Sequence, residues 1–227
     1  MNIMKRFYNV ISIASLGFAM LLTACSLDAD NKANVDADDF IGTDEGPAYI
    51  RTYMYNSLKP LATETYLTEW GTDLYTSART TNVNDFQAYK FSPETQEISN
   101  YYKNTYSMIN QANALIKYAS DNARYVAEGK FLRNYGYYLL TQQFGSVPYV
   151  TEYIDGINKY YPRVPLKELY DNMIAELESI KNSADLPEED HNGNISRRAV
   201  KALLSKVCLA AGWNLENVRK NYRSNIY

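Results

Sequence analysis

The sequence predicts an all-α protein of antiparallel helix pairs separated by irregular loops. Three observations support that class. Apolar residues recur at three- and four-residue steps through four long stretches between Thr95 and Ala211. Helix punctuation falls at their ends, with Gly145 closing one stretch and Pro165 opening another. Strand-like alternation is confined to Val147-Pro148-Tyr149-Val150. Of the 227 residues, 46% are hydrophobic, so a packed core is expected within one sizeable domain or two small ones.

Residues 1–24 carry the three parts of an export signal. Lys5 and Arg6 give a positive start, Ile11 to Leu22 a short apolar run, and Thr23 and Ala24 small residues before Cys25. The run is too short to span a membrane comfortably. Leu22-Thr23-Ala24-Cys25 resembles the lipobox of bacterial lipoproteins. That resemblance implies cleavage before Cys25, diacylation of its thiol and acylation of the new amine. Several acyl chains anchor a protein stably where one does not. An ordinary cleaved signal that abuts a cysteine is the alternative. Residues 25–40 then read as a lipidated tether, acidic through Asp28, Asp30, Asp36, Asp38 and Asp39.

A helical domain is expected over residues 41–213. Asp44 to Leu58 is its first candidate helix, with Tyr49, Tyr53 and Leu58 facing inward and Pro60 as its stop. Residues 61–94 follow, too long for a structureless loop, so this segment is functional or hides short helices. Thr95 to Ala119 is a strong helix with Ile98, Tyr102, Tyr106, Ile109, Ala112, Ile116 and Ala119 in register. Asp121 to Phe144 is the next, with Ala127, Phe131, Tyr135, Tyr138 and Leu139 on one side.

Pro165 opens a third strong helix, striped by Leu166, Leu169, Tyr170, Met173, Ile174, Leu177 and Ile180. Pro187 and Gly193 mark the turn after it. Ser196 is the N-cap of a fourth, with Ile195 and Val200 placed for a hydrophobic staple. Ala199, Val200, Leu203, Leu204, Val207 and Ala211 line that helix, Cys208 is expected to be a buried structural thiol within it, and Trp213 to pack at its end. Small residues at Ala127, Gly136, Ala199 and Ala211 permit close helix approach, as tetratricopeptide-like pairs require. Residues 214–227 form a polar tail that reads as unfinished, which predicts a truncated or frameshifted product.

Charge and cysteine usage narrow the function classes. The chain has 23 basic and 26 acidic residues, and removing Lys5 and Arg6 with the signal leaves 21 against 26, a net charge of −5. That balance argues against general nucleic-acid binding. Cys25, Cys208 and the single histidine, His191, share no metal-like spacing, so no metal or cofactor is expected. His191 sits between acids and Asn192-Gly193, as a solvated loop histidine would.

Two further stretches carry a specific resemblance. One runs from Ala127-Glu128-Gly129-Lys130-Phe131-Leu132-Arg133-Asn134-Tyr135-Gly136-Tyr137-Tyr138-Leu139-Leu140 into Phe144-Gly145-Ser146-Val147-Pro148. The other runs from Leu169-Tyr170-Asp171-Asn172-Met173-Ile174-Ala175-Glu176-Leu177-Glu178 through Leu186-Pro187 to Ile195-Ser196-Arg197-Arg198-Ala199-Val200-Lys201-Ala202-Leu203-Leu204. Tyr102, Tyr106, Ile109, Ala112 and Asn113 fit upstream. With the lipobox, this order resembles the SusD/RagB family of Bacteroidetes outer-membrane lipoproteins. The resemblance implies an all-α, tetratricopeptide-like fold and binding of glycans or other nutrients at the outer membrane, facing the cell surface. It also implies a SusC-like TonB-dependent transporter as partner, on which such a protein sits as a lid. Family members are much longer, and much of their ligand surface lies in a C-terminal half that has no counterpart here.

Catalysis finds little support. No serine has an evident histidine base, and the carboxylate spacings Glu69/Asp73 (which would share a helix face) and Glu64/Glu69 specify no catalytic separation. The binding candidate is Tyr66, Trp70 and Tyr75 inside the 61–94 segment, with Glu69, Asp73 and Arg79 as hydroxyl partners. Sugar rings present apolar C–H faces that stack on such aromatics. A packing role for Trp70 stands beside this one. Tyr160-Tyr161-Pro162-Arg163 reads as a linker and a weaker binding candidate. The expected function is therefore capture of an oligosaccharide or other nutrient for transport. A lipid-anchored interaction scaffold without its own ligand, or a non-functional fragment, is the alternative, and a glycoside hydrolase fragment the third.

Overall fold

The computed structural model describes residues 43, 45–63, 66–73, 86, 88–156 and 160–224, with side chains as far as residue 213. Cys25, the export signal and the tether lie outside the described residues. The described residues hold six helices: α1 (Gly46–Asn56), α2 (Leu58–Thr63), α3 (Gln96–Tyr118), α4 (Ala123–Phe144), α5 (Leu166–Ile180) and α6 (Arg197–Ser224). Among the described residues there is no strand. The Val147–Val150 stretch contributes only an isolated antiparallel bridge between Pro148 and Arg163.

α3 and α4 form the central hairpin, and their register follows from two glycines. A Cβ on Gly129 would meet Ile116 Cγ1 at 2.7 Å and the Ala112 carbonyl oxygen at 3.0 Å. A Cβ on Gly136 would meet Ile109 Cγ1 at 2.7 Å. Rising numbers on α4 therefore face falling numbers on α3, and the pair is antiparallel. α5 lies on α4, joined by Arg133 to Glu176 and by Gln142 to Tyr170, so this pair is antiparallel too. α6 covers α5, and α1 covers α3. One core runs through all of these pairs, with Met54, Met108, Leu115, Leu132, Tyr137, Leu140, Leu169, Met173, Leu177 and Val207 wholly buried.

The helix ends follow local chemistry. The Asn122 side chain accepts from the Tyr125 amide at 3.1 Å, so α4 starts two residues later than its apolar pattern suggested. Gly145 stops α4 at φ +66°, a conformation that glycine adopts without steric cost. Ser196 Oγ accepts from the Ala199 amide at 3.3 Å and caps α6, with Ile195 and Val200 buried on either side of the cap.

Expectations on three helices are corrected. In α1 the inward residues are Ile50 and Met54, whereas Tyr49 is 61% and Tyr53 59% exposed. Both pairs have helical spacing, and the residues without a phenol take the core because a buried hydroxyl needs a partner. Pro60 lies inside α2, in a first turn whose amides have no intrahelical acceptor. On α6, Cys208 is exposed and Trp213 is 71% exposed. Cys208 follows the buried Val207 by one residue, which rotates it about 100° away from the core. α6 itself continues beyond Trp213 to Ser224.

Candidate functional site

Of the predicted binding residues, Tyr66, Glu69, Trp70 and Asp73 are described, while Tyr75 and Arg79 lie outside the described residues. Glu69 and Asp73 do not share a helix face, because residues 66–72 form turns. Thr72 closes this turn, its hydroxyl donating to the Glu69 carbonyl at 2.7 Å. Gly71 has φ +84°, and a Cβ there would lie 3.0 Å from the Phe86 carbonyl oxygen. The Tyr89 hydroxyl donates to the Gly71 carbonyl and fastens the turn to the following segment.

These bonds bring aromatic rings together. The half-buried rings of Tyr66 and Trp70 have centroids 5.4 Å apart, and Tyr66 also meets the buried Phe86 at 6.1 Å. Phe86 stacks on Phe91 at 5.2 Å. Asp73 is exposed and Glu69 half-buried on the same turn. Trp70 thus packs on neighbouring rings and keeps part of its surface in water.

Phe91 leads into a groove that sequence reasoning missed. The groove encloses about 570 Å³ and lies between the start of α3 and the end of α4. Phe91, Tyr102 and Phe144 wall it, and Lys103, Gln143 and Arg163 supply polar groups. Tyr102 and Phe144 meet edge to face at 5.2 Å, and Tyr102 meets Tyr106 at 4.8 Å. Arg163 comes from the segment read as a linker, and its backbone is held by the bridge to Pro148. Nothing in the spacing of residues 91, 102, 144 and 163 signals that they converge.

The segment behind this groove is fixed by buried side chains. Tyr137 donates its hydroxyl to the Val150 carbonyl at 2.9 Å and accepts from the Val150 amide at 2.6 Å. Asn113 donates to the Val150 and Glu152 carbonyls at 3.1 and 2.9 Å. Arg133 donates to Asn113 Oδ1 at 2.8 Å and to the Thr151 carbonyl at 3.0 Å while pairing with Glu176. Burial raises the Tyr137 phenol well above its ordinary range and pushes Tyr149 up to about 12. Both hydroxyls therefore stay protonated, and Tyr137 remains a donor, at neutral pH. Among the described residues, no group of His, Cys, Asp or Glu could hold a metal ion.

Comparison with known proteins places this architecture. A SusD-like family model, described as starch-binding and associating with the outer membrane, matches residues 28–209. A SusD superfamily protein from Parabacteroides distasonis is 26% identical with a TM-score of 0.60, covering 77% of this chain and 40% of that one. A laminarin-binding SusD-like protein is 22% identical with a TM-score of 0.62, covering 76% of this chain and 41% of that one. Surface glycan-binding protein A from Bacteroides uniformis is 22% identical with a TM-score of 0.60, covering 73% and 41%. This chain thus spans about two fifths of the length of these solved structures. No match emerged among curated proteins. By the family match over residues 28–209, and with helix pairs that agree with it, the chain belongs to the SusD-like family.

Proposed function

We propose that this chain captures an oligosaccharide at the bacterial cell surface, tethered to the outer membrane through lipid on Cys25, and passes it to a SusC-like TonB-dependent transporter. The observation that carries the reading is the half-buried Tyr66–Trp70 ring pair on a turn beside Glu69 and Asp73. Aromatic faces stack on sugar C–H surfaces, and carboxylates accept from sugar hydroxyls. The family description and the saccharide names of the relatives support the ligand class. Leu22-Thr23-Ala24-Cys25, just ahead of the matched region, supports the anchor.

Trp70→Ala tests the binding role. It is expected to weaken affinity for laminari-, malto- or xylogluco-oligosaccharide about tenfold with little change in melting temperature. A large fall in melting temperature at unchanged affinity would assign Trp70 to packing alone. Cys25→Ala should leave the far-ultraviolet spectrum unchanged and move the protein into the soluble fraction. Retention in the membrane would place the anchor elsewhere. Recovery of no transporter from outer membranes with the full-length protein would count against delivery.

A second reading, an interaction scaffold, draws on α6, where Leu209 and Trp213 are strongly exposed. Exposed apolar residues that cluster mark contact surfaces. Normal saccharide affinity in a Leu209→Ser, Trp213→Ser variant would separate such a contact role from capture.

A further inference from the structure

Resting on the saccharide-capture reading, we infer that the groove between α3 and α4 selects a carboxylate-bearing sugar, such as a uronic acid residue of an acidic oligosaccharide. Its size lies within the range of about 300–1,000 Å³ typical of small-ligand sites. Phe91, Tyr102 and Phe144 offer flat faces for a sugar ring. The charge of the lining is one-sided. Lys103 and Arg163 both line it, and no carboxylate does.

Among the described residues, neither cation is paired with an acid. Glu94, beside the lining residue Pro93, accepts from the Ser92 hydroxyl at 2.7 Å and stays outside the lining. Lys103 stands on α3, whereas Arg163 comes from the segment bridged to Pro148. Two separate elements thus bring positive charge to one aromatic concavity in a chain whose net charge is −3. Arginine suits a carboxylate because its planar fork can make two parallel bonds to it.

The Trp70 turn has the opposite chemistry. Glu69 and Asp73 accept from neutral hydroxyls and repel a uronate. The ring series from Trp70 through Tyr66 and Phe86 to Phe91 links the two places. The groove therefore provides for charge, and the turn for neutral sugar.

Calorimetric titration of the full chain in detergent, with an oligogalacturonate and a malto-oligosaccharide of equal length, tests this inference. The expected result is a preference for the acidic oligomer that shrinks as salt is raised. Lys103→Gln and Arg163→Gln should each reduce that preference about fivefold. Both residues are exposed, so neither change removes core packing, and unchanged circular dichroism confirms the fold. Equal or tighter binding of the neutral oligomer, with both variants silent, would overturn the groove inference and leave saccharide capture standing. Binding of neither oligomer would overturn both.

Discussion

Glu128 has no exposed side-chain surface, yet its carboxylate is the meeting point of two arginines. Arg51 pairs with it and reaches the Asn194 side chain at 2.7 Å, while Arg124 donates from one turn earlier at 3.1 Å. Arg51 also lies over the Tyr55 ring, 5.0 Å from its centroid, and over Tyr125 at 5.4 Å. Three segments distant in sequence are tied together at one buried charge. Removing one partner of a buried pair costs more than removing an exposed one. Glu128→Gln is therefore expected to lower unfolding free energy by about 3 kcal/mol in urea denaturation. Arg124→Gln, whose side chain is 40% exposed, should cost under about 1 kcal/mol. Equal losses would show that burial does not govern this site. None of this was legible in the sequence. Glu128 appears there within a family-like run, but its partner Arg51 lies 77 positions away, and no periodicity links a charge on one helix to a charge on another.

At the scale of elements, periodicity located helices well and phased them unevenly. α3 matches its expected bounds to one residue at each end, because both apolar register and flanking residues agree there. α1 was misphased because two residue pairs of helical spacing compete for one face. The α3–α4 hairpin shows the close approach expected at Gly136, and Gly129 makes a second one. Glycine to alanine gains about 1 kcal/mol of helix propensity, whereas overpacking costs about 1–3 kcal/mol. Gly136→Ala and Gly129→Ala should therefore each destabilise, by about 1 kcal/mol net, and more at Gly129, where a backbone carbonyl blocks retreat. Gly212 on α6 has open space around its Cβ position. Gly212→Ala should raise stability by up to about 1 kcal/mol. Chemical denaturation of the three variants checks the opposite signs.

Across the molecule, the described tyrosines range from exposed to wholly buried. Tyr49, Tyr53, Tyr89 and Tyr160 are exposed, whereas Tyr101, Tyr106, Tyr137 and Tyr149 are raised by desolvation, Tyr101 and Tyr149 to about 12. A raised phenol favours the neutral form in the fold. Its stabilising contribution is thus complete below the ordinary value near 10 and is lost as pH rises toward the folded value. Absorbance titration should show the phenols of Tyr101, Tyr106, Tyr137 and Tyr149 ionising late, in a phase coupled to alkaline unfolding; the absence of such a phase would contradict the burial pattern. The sequence predicted the helix class and the family because both rest on ordered local patterns. It grouped Tyr66 and Trp70, whose rings do meet, because they lie close in sequence, but it missed the groove, whose walls come from four separate places. The central claim is that Trp70 meets the sugar. The chain has two tryptophans, and a Trp213→Phe variant leaves Trp70 as the sole source of tryptophan emission. Its fluorescence should change saturably with oligosaccharide, at the concentration where calorimetry records binding. Calorimetric binding with unchanged Trp70 emission would contradict the account.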